Sequence, residues 1–159
     1  MLTENKEFTR AMSRVPGPVT VVTTVDASGR AWGFTATSFV SLSLEPPLVL
    51  ICLSRTASTH TAFVSAQAFL VNVLGEDQAS IAVQFARSGV DRFGTGATLP
   101  LERGLPGVPG AAVRLACSLH EVLDGGDHSI LVGRVEDVFV GEGGPLVYCD
   151  RTFARPVGC

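Results

Sequence analysis

Hydroxyl side chains are concentrated in two short segments of the chain. The first segment, Gly33 to Ser43, contains five of them: Thr35, Thr37, Ser38, Ser41 and Ser43. Hydroxyls and backbone N–H groups at the end of a strand can bind a phosphate or the polar edge of a flat heterocycle, because a hydroxyl both donates and accepts hydrogen bonds. The alternative is that threonine is common in strands and serine in loops. Composition alone favours this alternative.

The second segment, Ser54 to Thr59, joins an apolar stretch to a predicted helix start. It reads Ser-Arg-Thr-Ala-Ser-Thr, and so places hydroxyls, the cation of Arg55 and free N–H groups at one point. That combination suits an anion. An ordinary helix N-cap at Ser58 or Thr59 explains the same residues equally well when the segment is taken alone.

His128 is the histidine whose position favours a role in binding. It follows the turn Gly125-Gly126-Asp127 and begins a predicted strand, so its imidazole is expected at the rim of a β-barrel, where a hairpin tip can reach a ligand. His60 and His120 have no such position and are interpreted as structural. Asn72 lies within the apolar sequence FLVNVL, where a buried amide needs a partner, and we expect that partner inside the protein.

The composition is that of a folded domain and excludes several classes of protein. The 159 residues are 46% hydrophobic and 17% charged, which excludes a disordered chain and suffices for one domain over residues 1–159. The net charge is −3 with scattered basic residues, so nucleic acid is not an expected partner. The longest apolar run, Leu48 to Leu53, is too short to span a membrane, and the N-terminus lacks the apolar core of a signal peptide. We expect a cytoplasmic protein without membrane contact.

Cysteine spacing and the absence of several motifs point away from metal and nucleophilic chemistry. The four cysteines lie far apart and form no C-x-x-C pair. We expect Cys52, Cys117 and Cys149 to be small buried apolar residues and Cys159 to be exposed. The sequence has no G-x-G-x-x-G, P-loop, H-E-x-x-H or G-x-S-x-G motif.

The elements that must position these residues are mostly strands. Residues Asn5 to Val15 are predicted to form a short helix, which a Pro-Gly-Pro sequence ends. β-Branched residues predict a strand from Val19 to Val25, and turn residues then lead into an extended segment from Ala31 to Phe39, forming a hairpin. The apolar run Leu48 to Leu53 shows no alternation and predicts a core strand covered on both faces.

The second half of the chain also indicates antiparallel pairing. Leu99 to Gly110 is rich in glycine and proline and is predicted to be a loop. Alternation from Ala111 to Leu123 predicts a half-buried strand with Arg114 on its polar face, paired as a hairpin with Ser129 to Val140. The remaining short elements are predicted as helices over residues 59–66 and 77–86 and strands over residues 69–74 and 146–149. This pattern indicates an antiparallel barrel with few helices.

Five stretches of sequence, in this order, carry a resemblance to a known family: FTRAMSRVPGPVTVVTT, GFTATSFVSLSLEPPLVLICL, FLVNVL, GDHSILVGRVED and PLVYCDRTF. They resemble the short-chain flavin reductases, the NAD(P)H-dependent enzymes that supply reduced flavin to two-component monooxygenases. The first two stretches and the Gly-Asp-His turn are specific enough to favour a binding function over the structural alternatives given above. The resemblance implies a mainly β, antiparallel split β-barrel of the FMN-binding type with Greek-key topology, and a homodimer.

The resemblance also implies a flavin site. The edge of the isoalloxazine ring and the ribityl chain would contact Thr35, Ala36, Thr37 and Ser38. Other implied contacts are Cys52, Leu53 and Ser54 along the flavin, Ser58 and Thr59 near its phosphate, and Phe85 and Ala86 closing over it. His128 would contact the nicotinamide side and is the implied catalytic residue. Phe153 stands where the family often has a tyrosine and would contribute packing only, while a role for Arg55 toward phosphate or adenine stays open.

The implied reaction is hydride transfer from NADH or NADPH to FMN or FAD, in which the protein positions the two rings. The reduced flavin would pass to a separate flavin-dependent monooxygenase. One alternative is a non-catalytic FMN-binding protein of the same fold that carries electrons or stores flavin. A barrel used only for protein interaction is another, but it leaves the Gly-Asp-His turn and the hydroxyl segments as coincidences. FMN and FAD share the reacting ring, so the sequence leaves the choice of flavin open.

Overall fold

The computed structural model describes residues 2–159 and consists mainly of β-strands, which confirms the predicted fold class. The elements, in chain order, are α1 Leu2–Ser13, β1 Gly17–Pro18, β2 Thr20–Val25, β3 Ala31–Ala36, β4 Phe39–Ser43, β5 Leu48–Ser54, α2 His60–Val64, β6 Ala68–Val73, α3 Ala79–Ala86, β7 Leu99–Pro100, a 3₁₀ turn Glu102–Gly104, β8 Pro106–Gly107, β9 Val113–Gly125, β10 His128–Val140, β11 Val147–Cys149 and β12 Thr152–Ala154. Within residues 2–159, no helix has the length and apolar character needed to cross a membrane.

Seven strands form one antiparallel sheet in the order β3-β2-β6-β9-β10-β5-β4. Strands far apart in the chain, such as β2 and β6, are neighbours in this sheet, as in Greek-key arrangements. The two edge strands, β3 and β4, are joined by only Thr37 and Ser38, so the sheet must roll until its edges approach each other at that end. The edges are not paired with each other in the described sheet, and the barrel is therefore split between β3 and β4.

Among the described residues, three buried apolar clusters fill and brace the barrel, and two of them hold the helices in place. In the first cluster Phe63 and Phe69 are fully buried, and the ring of Phe34 meets that of Phe63 edge-on with centroids 4.8 Å apart. The second cluster packs α3 onto β2 through Phe85, whose ring also meets Phe93 edge-on at 5.1 Å. These contacts fix α2 and α3 relative to β3. The segments before α2 and after α3 line the cavity described below.

Strand β5 differs from its prediction. Its residues alternate between a buried face with Val49, Ile51 and Leu53 and a half-buried face with Leu48, Leu50 and Cys52. The expectation of coverage on both faces is therefore wrong for this chain. Apolar residues that lie outside the core remain free to line a cavity or an interface.

The cysteines differ in burial. Cys117 is buried, whereas Cys52 and Cys149 are half-buried, so the prediction of burial is wrong for those two, and Cys159 is exposed as predicted. Burial, together with the nearby carboxylate of Glu136, raises the pKa of the Cys117 thiol to about 12. This thiol therefore stays protonated and acts as a packing residue.

The segment Leu99 to Gly110 is more ordered than the predicted loop, since it contains β7, β8 and a 3₁₀ turn. It covers Arg114, which is only 6% exposed and places its Nε 2.5 Å from Oε1 of Glu102. The Arg114 guanidinium also lies over the ring of Phe139, 3.9 Å from its centroid. The prediction that Arg114 lies on a solvent-facing side of the strand is wrong, because the segment Leu99 to Gly110 covers that side and supplies the carboxylate of Glu102.

Other predicted features are confirmed with shifted boundaries. The extended segment predicted from Ala31 to Phe39 is divided at Thr37 and Ser38 into two strands, and both short helices after β5 begin later than predicted. The long hairpin of β9 and β10 is present, with Gly126 at φ 76° in its turn, a conformation that suits glycine. Asn72 finds its partners inside the protein: Nδ2 donates to the carbonyl of Val21, and Oδ1 accepts from the Val108 N–H, each at 2.9 Å.

Candidate functional site

A cavity of about 660 Å³ lies beside the link between β3 and β4, where the barrel is split. Its walls come from that link, from the end of β5 and the turn after it, from the end of α3 and the following loop, and from the tip of the β9–β10 hairpin. The predicted site residues in its lining are Thr35, Ala36, Thr37, Ser38, Cys52, Leu53, Ser54, Ser58, Thr59, Phe85, Ala86 and His128. Segments far apart in the sequence thus meet around one space, which we call the first lobe.

Phe153 is the predicted site residue that the structure does not bring to the first lobe. It lies on β12 opposite Tyr148 on β11, and the two rings pack with centroids 5.2 Å apart. Both rings pack against the second apolar cluster. Phe153 therefore contributes packing, as expected of a phenylalanine at a position where the family often has a tyrosine. It does so outside the first lobe, where the other predicted flavin contacts lie.

Two predicted hydroxyls hold the walls of the first lobe together. The Ser38 Oγ bridges the backbone of Cys52, accepting from its N–H and donating to its carbonyl, both at 3.2 Å. The Thr35 Oγ1 donates to the carbonyl of Ala82 in α3 at 2.6 Å. Because these hydroxyls connect the edge strands to β5 and to α3, they fix the shape of the lobe. Thr37, which lies between them in the sequence, is exposed and lines the lobe.

Thr59 gives the clearest indication that the first lobe takes a polar ligand. It stands immediately before α2, but its side chain makes no cap hydrogen bond, so the predicted side-chain N-cap is not formed. The residue is 3% exposed, and its Oγ1 is buried without a partner among the described residues. Leaving a buried hydroxyl unpaired costs free energy. A phosphate placed at Thr59 and the neighbouring Ser58 would supply the missing partner, so the residues present fit a flavin phosphate.

Arg55 lies between lobe residues but does not line the lobe. Its Nε donates to the carbonyl of Gly126 at 2.9 Å, and its Nη2 pairs with the carboxylate of Asp124. Its backbone N–H donates to the carbonyl of Asp127 at 3.0 Å. All of these contacts are with the β9–β10 hairpin, so the structure places Arg55 on the turn that carries His128.

His128 stands at the mouth of the lobe, opposite Ser54 in the register of β10 against β5. Its side chain is 44% exposed, and its Nδ1 lies 2.7 Å from Oδ1 of Asp127. This hydrogen bond lowers the pKa of Asp127, which is therefore ionised at neutral pH. Because a carboxylate only accepts hydrogen bonds, Nδ1 must carry a proton. In the neutral ring, Nε2 is then an acceptor that is free to meet a ligand.

The histidines that were interpreted as structural stay outside the lobe. His60 lies on α2, with its Nε2 2.9 Å from the hydroxyl of Ser129, and so ties α2 to β10. His120 is exposed on β9. Neither residue contradicts its interpretation.

Arg92 is a lobe residue that the sequence analysis missed. It lies in the loop after α3, where its Nη1 donates to the carbonyl of Gly33 at 2.6 Å and its Nε to the carbonyl of Arg87 at 2.9 Å. Burial lowers its pKa, but an arginine keeps its charge at neutral pH. A single arginine in a polar loop gives no sequence pattern from which a role in binding could be predicted. Arg92 joins the lobe because its loop folds back onto β3. The other lining residues that were not predicted individually are Phe34, Thr56, Ala57, Ser88 and Gly89. Of these, Thr56 and Ala57 belong to the segment Ser54 to Thr59, which was predicted to suit an anion.

Comparison with known proteins gives relatives that match most of the chain. The chain is 48% identical to the actinorhodin polyketide dimerase of Streptomyces coelicolor over 91% of its own length and 82% of that protein's. It is 42% identical to an NADH:riboflavin 5'-phosphate oxidoreductase of Streptomyces pristinaespiralis, over 95% of this chain and 88% of that one. It is also 42% identical to the reductase component of the 4-hydroxyphenylacetate 3-monooxygenase of Thermus thermophilus, over 94% of this chain and 95% of that protein.

A solved structure shows the same architecture. It is an NADH:FAD oxidoreductase of Streptomyces globisporus, in complex with NAD and FAD fragments. The TM-score is 0.91 at 34% sequence identity, and the match covers 98% of this chain and 94% of that one. In addition, the model of the flavin reductase like domain family matches residues 12–156, which contain every predicted site residue. The chain therefore belongs to the flavin reductase like domain family.

Proposed function

We propose that this chain is an NADH:flavin oxidoreductase, which reduces FMN or FAD with a hydride from a reduced nicotinamide. The observation that carries the proposal is the first lobe, in which the implied flavin contacts other than Phe153, the hydroxyl of Thr59 without a partner among the described residues, and His128 lie around one space. The relatives and the solved structure named as NADH-dependent flavin oxidoreductases support it.

The lining fits a flavin in one orientation. Ser58, Thr59 and Arg92 form a polar and cationic end that would hold the phosphate, whereas Thr37 and the backbone around it would border the ring edge. Phe85 borders the same lobe but is fully buried in the second apolar cluster, so it supports the wall of the lobe from within the core. When bound, the flavin supplies N5 as the acceptor of the hydride that leaves nicotinamide C4, and a proton from water completes its reduction.

The protein's own contribution is positioning. Hydride transfer needs no nucleophile and no metal, so binding the two rings in the correct relation supplies the main rate gain. His128 stands at the mouth of the lobe with Nε2 free, and we propose that this nitrogen accepts a hydrogen bond from the carboxamide of the nicotinamide. Asp127 keeps the ring in the required tautomer and orientation.

We also propose a homodimer. Strand β4 and the residue after it expose Val40, Leu42 and the 86% exposed Leu44, and Met12 and Val15 are exposed near the end of α1. A hollow of about 490 Å³ borders part of this surface and shares the β3–β4 link with the first lobe. Contiguous apolar surface of this kind is typical of an interface. A second copy on this face would adjoin the site, and light scattering at micromolar concentration should give twice the monomer mass.

We propose that the reduced flavin passes to a separate flavin-dependent monooxygenase. The support is the Thermus thermophilus relative, which is named as a reductase component of such a system. Such a protein must release reduced flavin. Its affinity for reduced flavin should therefore be lower than that of a protein that keeps flavin as a permanent prosthetic group.

Steady-state turnover tests the proposed function. Purified protein is mixed with NADH alone, with FMN or FAD alone, and with both, and the nicotinamide absorbance is followed. We expect NADH oxidation only when flavin is present. Flavin binding without NADH oxidation would instead identify a non-catalytic flavin carrier, and NADH oxidation without flavin would overturn the proposal.

A further inference from the structure

A second cavity of about 770 Å³ adjoins the first lobe, and we call it the second lobe. The two linings share Ser58, Thr59, Gly89 and Arg92, so the lobes are parts of one groove. The rest of the second lobe comes mainly from the start of β3 and the loop after α3, through Arg30, Trp32, Gly33, Val90 and Phe93. His128 lines only the first lobe. The second lobe therefore extends from the phosphate end of the proposed flavin site.

The junction of the two lobes suits an anion. The buried hydroxyl of Thr59 has no partner there among the described residues. Arg92 uses Nη1 and Nε on the carbonyls of Gly33 and Arg87, and a guanidinium has five N–H donors, so donors remain for a ligand. A phosphate between these two residues would gain charge-assisted hydrogen bonds from a partly buried cation.

The second lobe offers a flat platform beyond that junction. The guanidinium of Arg30 lies over the ring of Trp32, 4.0 Å from its centroid. The indole Nε1 donates to Oδ2 of Asp26 at 2.9 Å, which fixes the ring. The hydrogen bond from the Ser28 side chain, followed by those from Trp32 and the Arg30 backbone, lowers the pKa of Asp26, so this acceptor is ionised at neutral pH. Nucleobases stack on aromatic rings and on guanidinium planes.

We propose that the second lobe binds the adenylate half of FAD, so that the groove is built for a flavin dinucleotide. The isoalloxazine ring would lie in the first lobe, the diphosphate between Thr59 and Arg92, and the adenine against the Arg30–Trp32 platform. FMN ends at its phosphate and would leave the second lobe empty. FAD should therefore bind more tightly than FMN, by about tenfold, which corresponds to the gain expected of one stacked base. This inference rests on the proposed function for the placement of the ring.

Equilibrium binding in the absence of NADH tests the inference. FAD and FMN are titrated into the wild-type protein and the Arg30→Ala and Trp32→Phe variants, and flavin fluorescence is followed. Arg30 is exposed, so Arg30→Ala is expected to fold normally. We expect Arg30→Ala to weaken FAD binding by about fivefold to tenfold with FMN binding unchanged, as for loss of a stacking contact. Trp32→Phe should have a smaller effect, because the platform is kept. The control is Arg134→Ala, an exposed arginine on β10 outside both lobes.

Three outcomes would overturn the inference. The first is that the wild-type protein binds FMN as tightly as FAD. The second is that Arg30→Ala lowers the affinities for FAD and FMN by the same factor, and the third is that Arg30→Ala changes neither affinity. If Arg30→Ala raised the KM for NADH without changing FAD binding, the second lobe would belong to the adenylate of the nicotinamide nucleotide instead. A wild-type protein that binds FAD in the predicted way but oxidises no NADH would contradict the proposed function alone.

Discussion

Arg55 donates through Nε to the carbonyl of Gly126 across 2.9 Å and so ties the end of β5 to the turn that presents His128. The same guanidinium pairs with Asp124, and the Arg55 backbone N–H donates to Asp127. The residue that the sequence left as a candidate for phosphate or adenine contact is thus engaged with the hairpin. Its influence on the reaction should pass through the position of His128.

Arg55→Ala is expected to raise the KM for NADH or slow hydride transfer severalfold, while flavin affinity stays the same. The unfolding free energy should change by less than about 1 kcal/mol, because the pair with Asp124 is exposed. Arg55→Lys restores the charge without the forked contact and should recover only part of the loss. Steady-state kinetics and flavin titration of both variants measure this. If Arg55→Ala weakened flavin binding instead, Arg55 would be a flavin contact.

His128→Ala should impair the use of NADH and leave flavin affinity nearly intact, because the hairpin tip contributes only this side chain to the lobe. Losing one hydrogen bond to the nicotinamide should cost roughly 1 to 3 kcal/mol, about one to two decades in the relevant constant. Rapid-mixing measurement of flavin reduction gives the rate and its NADH dependence. The control is His120→Ala, which removes an exposed imidazole on β9. Normal kinetics in a less stable His128→Ala protein would give His128 a structural role only.

Thr59→Val separates ligand binding from folding. The substitution keeps the shape and removes a buried hydroxyl that has no partner among the described residues, so the flavin-free protein should become more stable by about 1 to 2 kcal/mol. Flavin affinity should fall by roughly tenfold, since the ligand loses its hydrogen bond. Urea unfolding and fluorescence titration measure the two effects, with the exposed Thr61→Val as control. Unchanged flavin affinity would show that Thr59 does not meet the ligand.

The ion pair of Glu102 and Arg114 makes stability depend on pH. The hydrogen bond from Arg114 lowers the pKa of Glu102 below its ordinary value of 4.5, so the stabilisation is complete above that pH and is lost as the pH falls through the lowered value. At neutral pH, Glu102→Gln should reduce the free energy of unfolding by about 1 to 3 kcal/mol. This difference should shrink in acid, when the wild-type carboxyl is protonated as well.

Urea unfolding of the wild-type protein and Glu102→Gln over a series of pH values measures this dependence. Glu142→Gln, which changes an exposed carboxyl, serves as the control and should follow the wild-type curve. A difference that stays constant from neutral pH into acid would show that the charge of Glu102 does not contribute.

Much of the lining of the first lobe was predictable, because each of its walls is a short contiguous segment. The residues of Thr35 to Ser38 and of Ser54 to Thr59 did not by themselves favour a site over strand, loop or helix-cap roles, and it was the family resemblance of these stretches and of the turn before His128 that did. The β-structure that brings them together follows from β-branched and alternating sequences. Local sequence also predicted the hairpin of β9 and β10.

What the sequence did not predict depends on contacts between distant segments. Arg92 joins the site by donating to Gly33, and Arg114 is buried because Glu102 docks over it. In neither case does the spacing of neighbouring residues carry a signal. Similarly, the apolar run of β5 gives no indication that Leu50 and Cys52 lie on an outer, half-buried face. The periodicity of a sequence indicates which residues share a face of a strand. Which other element covers that face depends on the tertiary structure and cannot be inferred from the periodicity.

The central claim is that this chain binds flavin and nicotinamide together for hydride transfer, and anaerobic rapid mixing of the FAD-loaded protein with NADH tests it most directly. Using NADH that carries deuterium at the transferred position of C4 identifies the bond that breaks. We predict that the visible flavin absorbance and the nicotinamide absorbance are lost together, and that deuterium slows both. A flavin that stays oxidised in the presence of excess NADH, although it is bound, would contradict the account.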